Sequence, residues 1–390
     1  MQLLLAGITS LRGSASASPT RDTGRWRSFP ASAVWRRFEL VTGNTILLPA
    51  ETLSTRIEAM LDSGTSVSMV SSSLAASAGI SGNERTIRGN SGRVRARTSG
   101  PFEVTLLGER RLLPLVIITD LSTASAPFGR PIDLIAGEDI LAGRAVALDF
   151  PGRRIGIAPS GAFRGGRGWV HLPLTRGANR ELMLRGAVAG LRDAPLVLDL
   201  GSSSALMLSK AFVSANTLAE NRRRSTAATG GVEGVRIAEA FTLDGVTLGG
   251  LSVGNIPALA VDPWLSTSAV GSVGLPLLAQ FDLVVDVSAD TVWLRQSDDP
   301  RRPRMLKDRS GLGLKAGPDS LTVVHVARNS PAEKASFGEG DVIVAVNGHA
   351  VDSGYTRGDL WEWRFAPPGT SVELVMADGR RYDLRLADYY

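Results

Sequence analysis

Short apolar runs separated by turn residues dominate the chain. Gly, Asp and Ser interrupt these runs at hairpin spacing, which is typical of β-strands joined by tight turns. The clearest runs are LLPLVIITDL, AVALDF, APLVLDL, FDLVVDV and TVWL. Helical spacing is rare, with one short helix predicted at Ser71–Ala78 and another at Ser209–Glu220. The pattern predicts a mostly β protein.

One arrangement of strand, acid, glycine and hydroxyl residue occurs twice. AMLDSGTSVSMV contains Asp62, and Asp199 takes the corresponding place in APLVLDLGSSSALML. Two further pairs of landmarks have the same separation along the chain, namely Gly137 with Gly274 and Asp149 with Asp286. A tight turn accounts for a single Asp-Ser-Gly, but it does not account for three pairs of landmarks with the same separation. The sequence therefore predicts a duplicated unit of about 125–130 residues.

Composition narrows the classes of function. The 390 residues suffice for two or three domains. The net charge of +5 comes from scattered arginines, which predicts no nucleic-acid partner. The absence of cysteine excludes disulfides, thiol nucleophiles and cysteine zinc sites. His171, His325 and His349 lie far apart in the sequence without ligand spacing, so no metal and no cofactor are predicted.

The N-terminal segment 1–33 is predicted to be signal-like or disordered. MQLLLAGI is short and apolar, and Ala15-Ser16-Ala17 resembles a small-residue cleavage site. This favours a periplasmic or secreted protein, while a cytoplasmic location stays open. No later apolar run reaches the ~18 residues of a membrane span.

The paired motifs resemble those of the aspartic peptidases, specifically the retropepsin-like type in a single-chain, two-lobed form. In that family each lobe carries Asp-Thr/Ser-Gly followed by a hydroxyl residue or alanine, and later an apolar-apolar-Gly that braces the motif loop. The first lobe (34–160) has Asp62-Ser63-Gly64-Thr65 with Ile135-Ala136-Gly137. The second lobe (161–298) has Asp199-Leu200-Gly201-Ser202 with Ser272-Val273-Gly274. The spacing from the Asp to the bracing Gly is identical in the two lobes.

The resemblance implies two acid-protease β lobes that hydrolyse a polypeptide substrate. Asp62 and Asp199 are the implied catalytic pair, sharing one proton so that one carboxyl acts as base and the other as acid. The other motif residues are expected to shape and orient that pair: Ser63, Gly64, Thr65, Gly201, Ser202, Gly137 and Gly274. Among them, the hydroxyls of Thr65 and Ser202 are expected to hydrogen-bond the carboxylates. Both lobes lie in one chain, so a monomer suffices to build the site.

One motif position departs from the family. The second residue of each motif is ordinarily a hydroxyl residue that bonds across to the opposite loop; Ser63 fits, and Leu200 does not. Two hypotheses therefore stay open, an active aspartic endopeptidase and a peptide-binding pseudo-protease that has lost catalysis.

Two glycine-rich segments are candidates for the flaps that cover bound peptide in this family. The first is Gly89, Asn90, Ser91 and Gly92, and the second lies within Thr229–Ile237. All tyrosines occur at or after Tyr355, so the flap tyrosine of pepsin-type relatives is missing. Gly-Asn-Ser-Gly also mimics a serine-protease nucleophile, but no histidine precedes Ser91.

After a charged linker (299–309), residues 310–390 resemble a PDZ domain, a small α+β fold. Gly311-Leu312-Gly313-Leu314 matches the loop that receives a peptide carboxylate, and Gly340-Asp341-Val342-Ile343 matches a later signature. The resemblance implies a helix at Thr356–Phe365 and closing strands at Ser371–Met376 and Tyr382–Leu386. A peptide or protein segment would add as a strand beside Leu312–Lys315. Binding of free C-termini and binding of internal segments both stay open.

Overall fold

The computed structural model describes residues 24–89 and 92–390, and strands dominate them. The prediction of a mostly β protein is confirmed. The helices are short and are α1 Ser72–Ser77, α2 Ser122–Ser125, α3 Glu138–Leu141, α4 Lys210–Ala215, α5 Leu275–Leu278 and α6 Pro331–Lys334. Three 3₁₀ helices span Ala126–Phe128, Val287–Ala289 and Leu360–Phe365. Among the described residues, no helix is both long and apolar enough to cross a bilayer.

The first lobe is built on a ten-stranded sheet. Its order is β6-β7-β10-β5-β11-β4-β3-β8-β9, with β2 beside β3. The strands of this part of the chain are β1 Val34–Arg37, β2 Glu39–Val41, β3 Thr45–Thr52, β4 Thr55–Leu61, β5 Met69–Ser71, β6 Asn83–Arg88, β7 Arg93–Ser99, β8 Phe102–Leu106, β9 Glu109–Leu113, β10 Val116–Thr119, β11 Leu134–Ala136, β12 Arg144–Asp149 and β13 Arg154–Pro159.

The second lobe is built on an eight-stranded sheet with the order β15-β16-β17-β22-β18-β21-β20-β19. The strands of this part are β14 Trp169–Pro173, β15 Thr175–Arg176, β16 Leu182–Val188, β17 Leu191–Asp199, β18 Leu206–Ser209, β19 Ser225–Gly231, β20 Gly234–Leu248, β21 Leu251–Val261, β22 Gly271–Gly274, β23 Phe281–Asp286 and β24 Thr291–Gln296. One continuous apolar core joins the two lobes.

A six-stranded central sheet unites the lobes in the order β1-β13-β12-β23-β24-β14. The pairing of Val146 with Ile157 in the first lobe is repeated by Leu283 with Leu294 in the second. Both partners are displaced along the chain by the offset that separates Asp62 from Asp199, and β12 pairs directly with β23 at the centre. The duplicated register read from the sequence is therefore present in the strand pairing.

The C-terminal region forms a separate sheet and core cluster. The order of the sheet is β25-β26-β27-β29-β30, with β28 beside β27. These strands are β25 Leu312–Ala316, β26 Leu321–Val326, β27 Val342–Val346, β28 His349–Ala350, β29 Ser371–Met376 and β30 Arg381–Arg385. The helix expected at Thr356–Phe365 is shorter and of the 3₁₀ type, because Gly354 and Gly358 weaken the helical start.

The segment 24–33 differs from the prediction of a signal-like or disordered tail. Trp26 and Phe29 are 3% and 4% exposed, and they pack with Phe163 and Trp169 in a cluster on the central sheet. Arg25 donates to Asp282 Oδ1 at 2.6 Å. Residues 1–23 lie outside the described residues, so the predicted signal lies there as well.

Candidate active site

Each motif loop leaves the end of a strand that is held by a parallel partner. Leu61, at the end of β4, pairs with Ala136 of β11, and Leu198 of β17 pairs with Val273 of β22 in the same register. The Asp62 amide donates to Ala136 O at 2.9 Å. The strand pattern and its duplication thus place both acids at equivalent points of the two lobes.

The carboxyl groups of Asp62 and Asp199 lie side by side, because atoms of both are within 3.0 Å of the point where a Cβ at Gly64 would stand. Asp62 Oδ1 accepts from the Gly64 amide at 2.7 Å. A Cβ at Gly64 would lie 2.8 Å from Asp199 Cγ, and one at Gly201 would overlap the Asp62 carboxyl. The two loops approach this closely because glycine has no side chain at these positions.

The environment of this pair favours retention of a proton. Burial and then the neighbouring Asp62 carboxylate raise the pKa of Asp199 well above its ordinary value. Burial also raises the pKa of Asp62, against the lowering effect of the Gly64 amide and of Asp199. Two carboxyls this close together do not ionise together cheaply, so they titrate as a unit.

Ser63 provides a hydrogen-bonded bridge between the lobes. Its Oγ donates to Leu198 O at 2.7 Å and accepts from the Leu200 amide at 3.0 Å. Leu200 makes no reciprocal side-chain bond; its side chain is 1% exposed and lies in the shared apolar core. The departure at this position removes one of two symmetric bridges and leaves the carboxyls in contact.

The prediction that the hydroxyls of Thr65 and Ser202 hydrogen-bond the carboxylates is wrong. Thr65 Oγ1 donates to Val67 O at 3.0 Å, and Ser202 Oγ donates to Ser204 O at 3.3 Å. A hydroxyl has a single hydrogen to donate, and here the local backbone receives it. The backbone amides of Gly201 and Ser202 lie close enough to the Asp199 carboxyl to lower its pKa.

Gly137 and Gly274 lie directly against the motif loops. A Cβ at Gly137 would be 2.9 Å from Thr65 O, and one at Gly274 would overlap Ser204 O. The residues that follow them bond the loops in equivalent ways, Glu138 N to Thr65 O at 2.9 Å and Leu275 N to Ser202 O at 3.0 Å. Each glycine thus permits the backbone contact that braces one aspartate loop.

Two hairpins meet over the pair. The first flap hairpin (β6–β7) is closed by Gly89 N donating to Gly92 O at 2.9 Å; Asn90 and Ser91 lie outside the described residues. The second flap hairpin (β19–β20) turns at residues 231–234. Its Glu233 side chain touches the positions of both Gly89 and Gly92, so the two tips are in contact.

Sequence reasoning missed two residues at the tip of the second flap hairpin. Glu233 lies close enough to Asp62 to contribute to the raised pKa of that carboxyl. Val232 packs on a first-lobe wall cluster of apolar residues, which consists of Val41, Leu47, Met60, Leu121, Phe128, Ile132 and Ile135. The only signal in the sequence is their place between the glycines of TGGVEGVRI.

In the C-terminal region, β25 is an edge strand, and the glycine loop, Gly311-Leu312-Gly313-Leu314, overlaps its start. Gly311 has φ 83 and donates its amide to Asp308 Oδ2 at 2.7 Å. The Leu312 amide donates to Ser310 Oγ at 3.1 Å. The predicted linker is packed as well, since the Arg309 amide donates to Arg364 O at 2.8 Å.

Comparison with known proteins bears first on this C-terminal region. A family profile described as "PDZ domain" matches residues 301–380. These residues form a PDZ domain. No curated protein sequence matches the chain. Among solved structures, the crystal structure of Basic 7S globulin from soybean is similar at 11% identity and a TM-score of 0.39, covering 69% of this chain and 96% of that chain.

Proposed function

We propose that the protein is an aspartic-type endopeptidase of the retropepsin-like kind, with Asp62 and Asp199 as its catalytic pair. The observation that carries the proposal is the close approach of two carboxyls, Asp199 buried and Asp62 half-buried, on equivalent loops of a duplicated fold. The pseudo-symmetric glycine bracing supports it, since it holds both loops in the close approach that such a pair requires.

The proposed chemistry uses one ionised and one protonated carboxyl. The ionised carboxyl takes a proton from a water as that water attacks the peptide carbonyl, and the protonated carboxyl donates its proton to the carbonyl oxygen. The resulting tetrahedral diol breaks its C–N bond as the leaving nitrogen takes the proton from the carboxyl that had acted as base. One hydroxyl proton of the diol returns to the other carboxylate, which restores the starting state of the pair. The flap hairpins would exclude bulk water during these steps.

The PDZ domain supplies a second peptide-binding surface, because such domains add an extended segment to a sheet edge. We propose that it recruits or regulates the polypeptide substrate. A periplasmic or secreted location is also proposed, on the N-terminal apolar run and small-residue site alone.

The test is cleavage of a diverse peptide pool between about pH 3.5 and 7. The purified chain is compared with Asp62→Asn and Asp199→Asn, and with Asp298→Asn as a matched control at an exposed carboxylate. We expect cleavage by the wild type and the control, and loss of at least about a hundredfold in each catalytic variant.

Leu200 favours a second candidate, a pseudo-protease that binds peptide without cleaving it. Peptide binding without cleavage by any form would support that candidate. Cleavage that persists in both Asp62→Asn and Asp199→Asn would contradict the assignment of the pair.

A further inference from the structure

The peptide-accepting edge of the PDZ domain faces the first lobe. The segment 126–130, here called the docked segment, lies against β25. A Cβ at Gly129 would be 3.4 Å from Ala316 Cβ, and the Phe128 carbonyl accepts from Thr356 Oγ1 at 3.0 Å. Thr356 and Phe128 are both buried. The docked segment therefore occupies the space beside the end of β25 that an added peptide strand would enter.

The same face of the PDZ domain clamps the second flap hairpin. Thr226 Oγ1 of β19 is 2.9 Å from His325 Nε2 and accepts from the Arg328 amide at 3.2 Å. Ser225 Oγ donates to Arg328 O. A Cβ at Gly313, within the glycine loop, would lie 3.4 Å from Ala228 Cβ. The strand that leads to the tip over Asp62 is therefore fixed by the PDZ domain.

Phe128 connects these two contacts. Its carbonyl bonds the PDZ domain, and its ring belongs to the first-lobe wall cluster on which Val232 packs. Withdrawal of the PDZ domain would remove support from the docked segment and from β19 together. The docked segment and β19 both hold the second flap hairpin in its closed position.

The glycine loop also indicates which kind of peptide fits. The amides of Gly311 and Leu312 already donate to Asp308 and Ser310. An incoming C-terminal carboxylate would find these two amides already bonded and could use them only by displacing Asp308 and Ser310. The docked segment is itself an internal stretch of chain, which agrees with this occupied loop.

We propose that the docked segment is an intramolecular ligand of the PDZ edge, and that an internal segment of another polypeptide displaces it and releases the second flap hairpin. Only the last step, access to the Asp62–Asp199 pair, rests on the proposed function. Ligand binding at the PDZ edge and opening of the cleft are then linked, since each favours the undocked state.

A disulfide tests the docked state directly. The chain has no cysteine, and the 3.4 Å separation at Gly129 and Ala316 is close to the ~3.5–4.5 Å between the Cβ atoms of a disulfide. We expect the double variant Gly129→Cys/Ala316→Cys to form an intramolecular disulfide on mild oxidation. Gly129 has φ 63, a conformation that strains any residue except glycine, so the single variants Gly129→Cys and Ala316→Cys must each first show an unchanged melting temperature. Failure to cross-link in the folded double variant would overturn the proposal.

Binding is then measured in an Asp62→Asn background, so that cleavage does not interfere. The probe is a fluorescent peptide of residues 123–132, acetylated and amidated at its ends. We expect the reduced double variant to bind it and the oxidised one to lose binding at least about tenfold. Equal binding by both forms would overturn the competition. A version that ends in a free carboxylate at Phe128 and binds tenfold more tightly would overturn the choice of internal segments.

A lobe-side variant tests the clamp without altering the PDZ domain. Thr226→Val removes the contacts with His325 and the Arg328 amide, so we expect about fivefold tighter probe binding and faster hydrogen exchange in β19. Thr105→Val, at an exposed position of β8, is the matched control. Unchanged binding and exchange in Thr226→Val would contradict the clamp.

Cleavage is finally compared in the double variant with Asp62 intact. We expect the oxidised form to cleave the peptide pool at least about fivefold more slowly than the reduced form. If neither form cleaves while the disulfide still blocks the probe, the proposed function fails and the self-docking stands. Equal cleavage by both forms would contradict release of the flap.

Discussion

At the scale of single residues, the raised pKa of Asp199 links protonation to stability. Burial and Asp62 raise this pKa in the folded chain, so the folded state binds the proton more tightly than the unfolded state does. The stabilisation is fully present below the unfolded pKa of about 3.9 and is lost as the pH rises through the folded pKa.

We therefore expect Asp199→Asn to raise the melting temperature at pH 7, because the folded wild type must either hold a second charge beside Asp62 or take up a proton, whereas Asn is neutral at any pH. The difference from wild type should shrink as the pH falls toward about 4. Thermal unfolding followed by circular dichroism over this range is the measurement, with Asp298→Asn as the exposed control. A variant less stable than wild type at pH 7 would contradict the direction of the shift.

Ser63 is the second residue whose loss has a defined consequence. In Ser63→Ala the Leu198 carbonyl and the Leu200 amide lose their shared partner in a buried place. We expect a loss of about 1–3 kcal/mol in the free energy of unfolding and slower peptide cleavage. Urea unfolding measures the first effect, and Ser353→Ala at an exposed turn position is the control. Equal stability of the two variants would show that the bridge contributes nothing.

At the scale of elements, the two motif loops are braced by different chemistry. In the first lobe, Asp139 accepts from the Ser68 amide at 3.0 Å, and Ser68 Oγ accepts from the Gly137 amide at 3.0 Å. The equivalent positions of the second lobe, at the offset of the duplication, hold the apolar residues Ala205 and Pro276. The first loop is therefore held by a buried polar network that the second loop lacks.

The variant Asp139→Ala tests how much this network stabilises the first loop. It leaves the Ser68 amide unpaired, so we expect a loss of about 1–3 kcal/mol in unfolding free energy together with a lower rate of peptide cleavage. Asp139 is a positioning residue, and both of its oxygens accept from Ser68, so Asp139→Asn, which keeps one acceptor oxygen, should restore part of both properties. Urea unfolding and cleavage of the peptide pool check this; no rescue by Asn would contradict the hydrogen-bonding role.

Local sequence patterns predicted the helices and strands better than they predicted the hydrogen-bond partners of side chains. α1 and α4 lie inside the predicted helical segments, and β29 has the predicted bounds, because caps and alternation act over a few residues. The hydroxyls of Thr65 and Ser202 were misjudged, since a backbone carbonyl two residues away is a nearer acceptor than the carboxylate. Whether a helix or strand forms follows from the residues within it, whereas the hydrogen-bond partner of a side chain depends on how the surrounding structure packs.

At the scale of the molecule, the duplicated register was the most informative feature. The offset that recurs in three pairs of landmarks indicates which strands of the two lobes are equivalent. Because equivalent strands pair in the same way, Asp62 and Asp199 come close together. The contact of Phe128 with Thr356 joins residues 228 positions apart. No local pattern encodes such a contact, so the docking of the PDZ domain was not foreseen.

The segment 24–33 also acts at the scale of the molecule, because it joins both halves of the duplicated fold. Arg25 shares the Asp282 carboxylate with Arg295 and donates to Asp299 Oδ2 at 3.0 Å. Asp282 is 2% exposed, and a buried charge that loses one partner is costly. Trp26 and Phe29 complete an aromatic cluster on the central sheet.

Two N-terminal truncations should therefore behave differently. A chain that starts at residue 24 keeps Arg25, Trp26 and Phe29, and we expect its stability to match that of the full chain. A chain that starts at residue 34 loses two buried aromatic side chains, each of which contributes about 3–5 kcal/mol in comparable deletions, and a partner of Asp282. We expect a markedly lower urea midpoint for the shorter chain. Equal midpoints would contradict a structural role for this segment, whereas instability already at residue 24 would assign part of that role to residues 1–23.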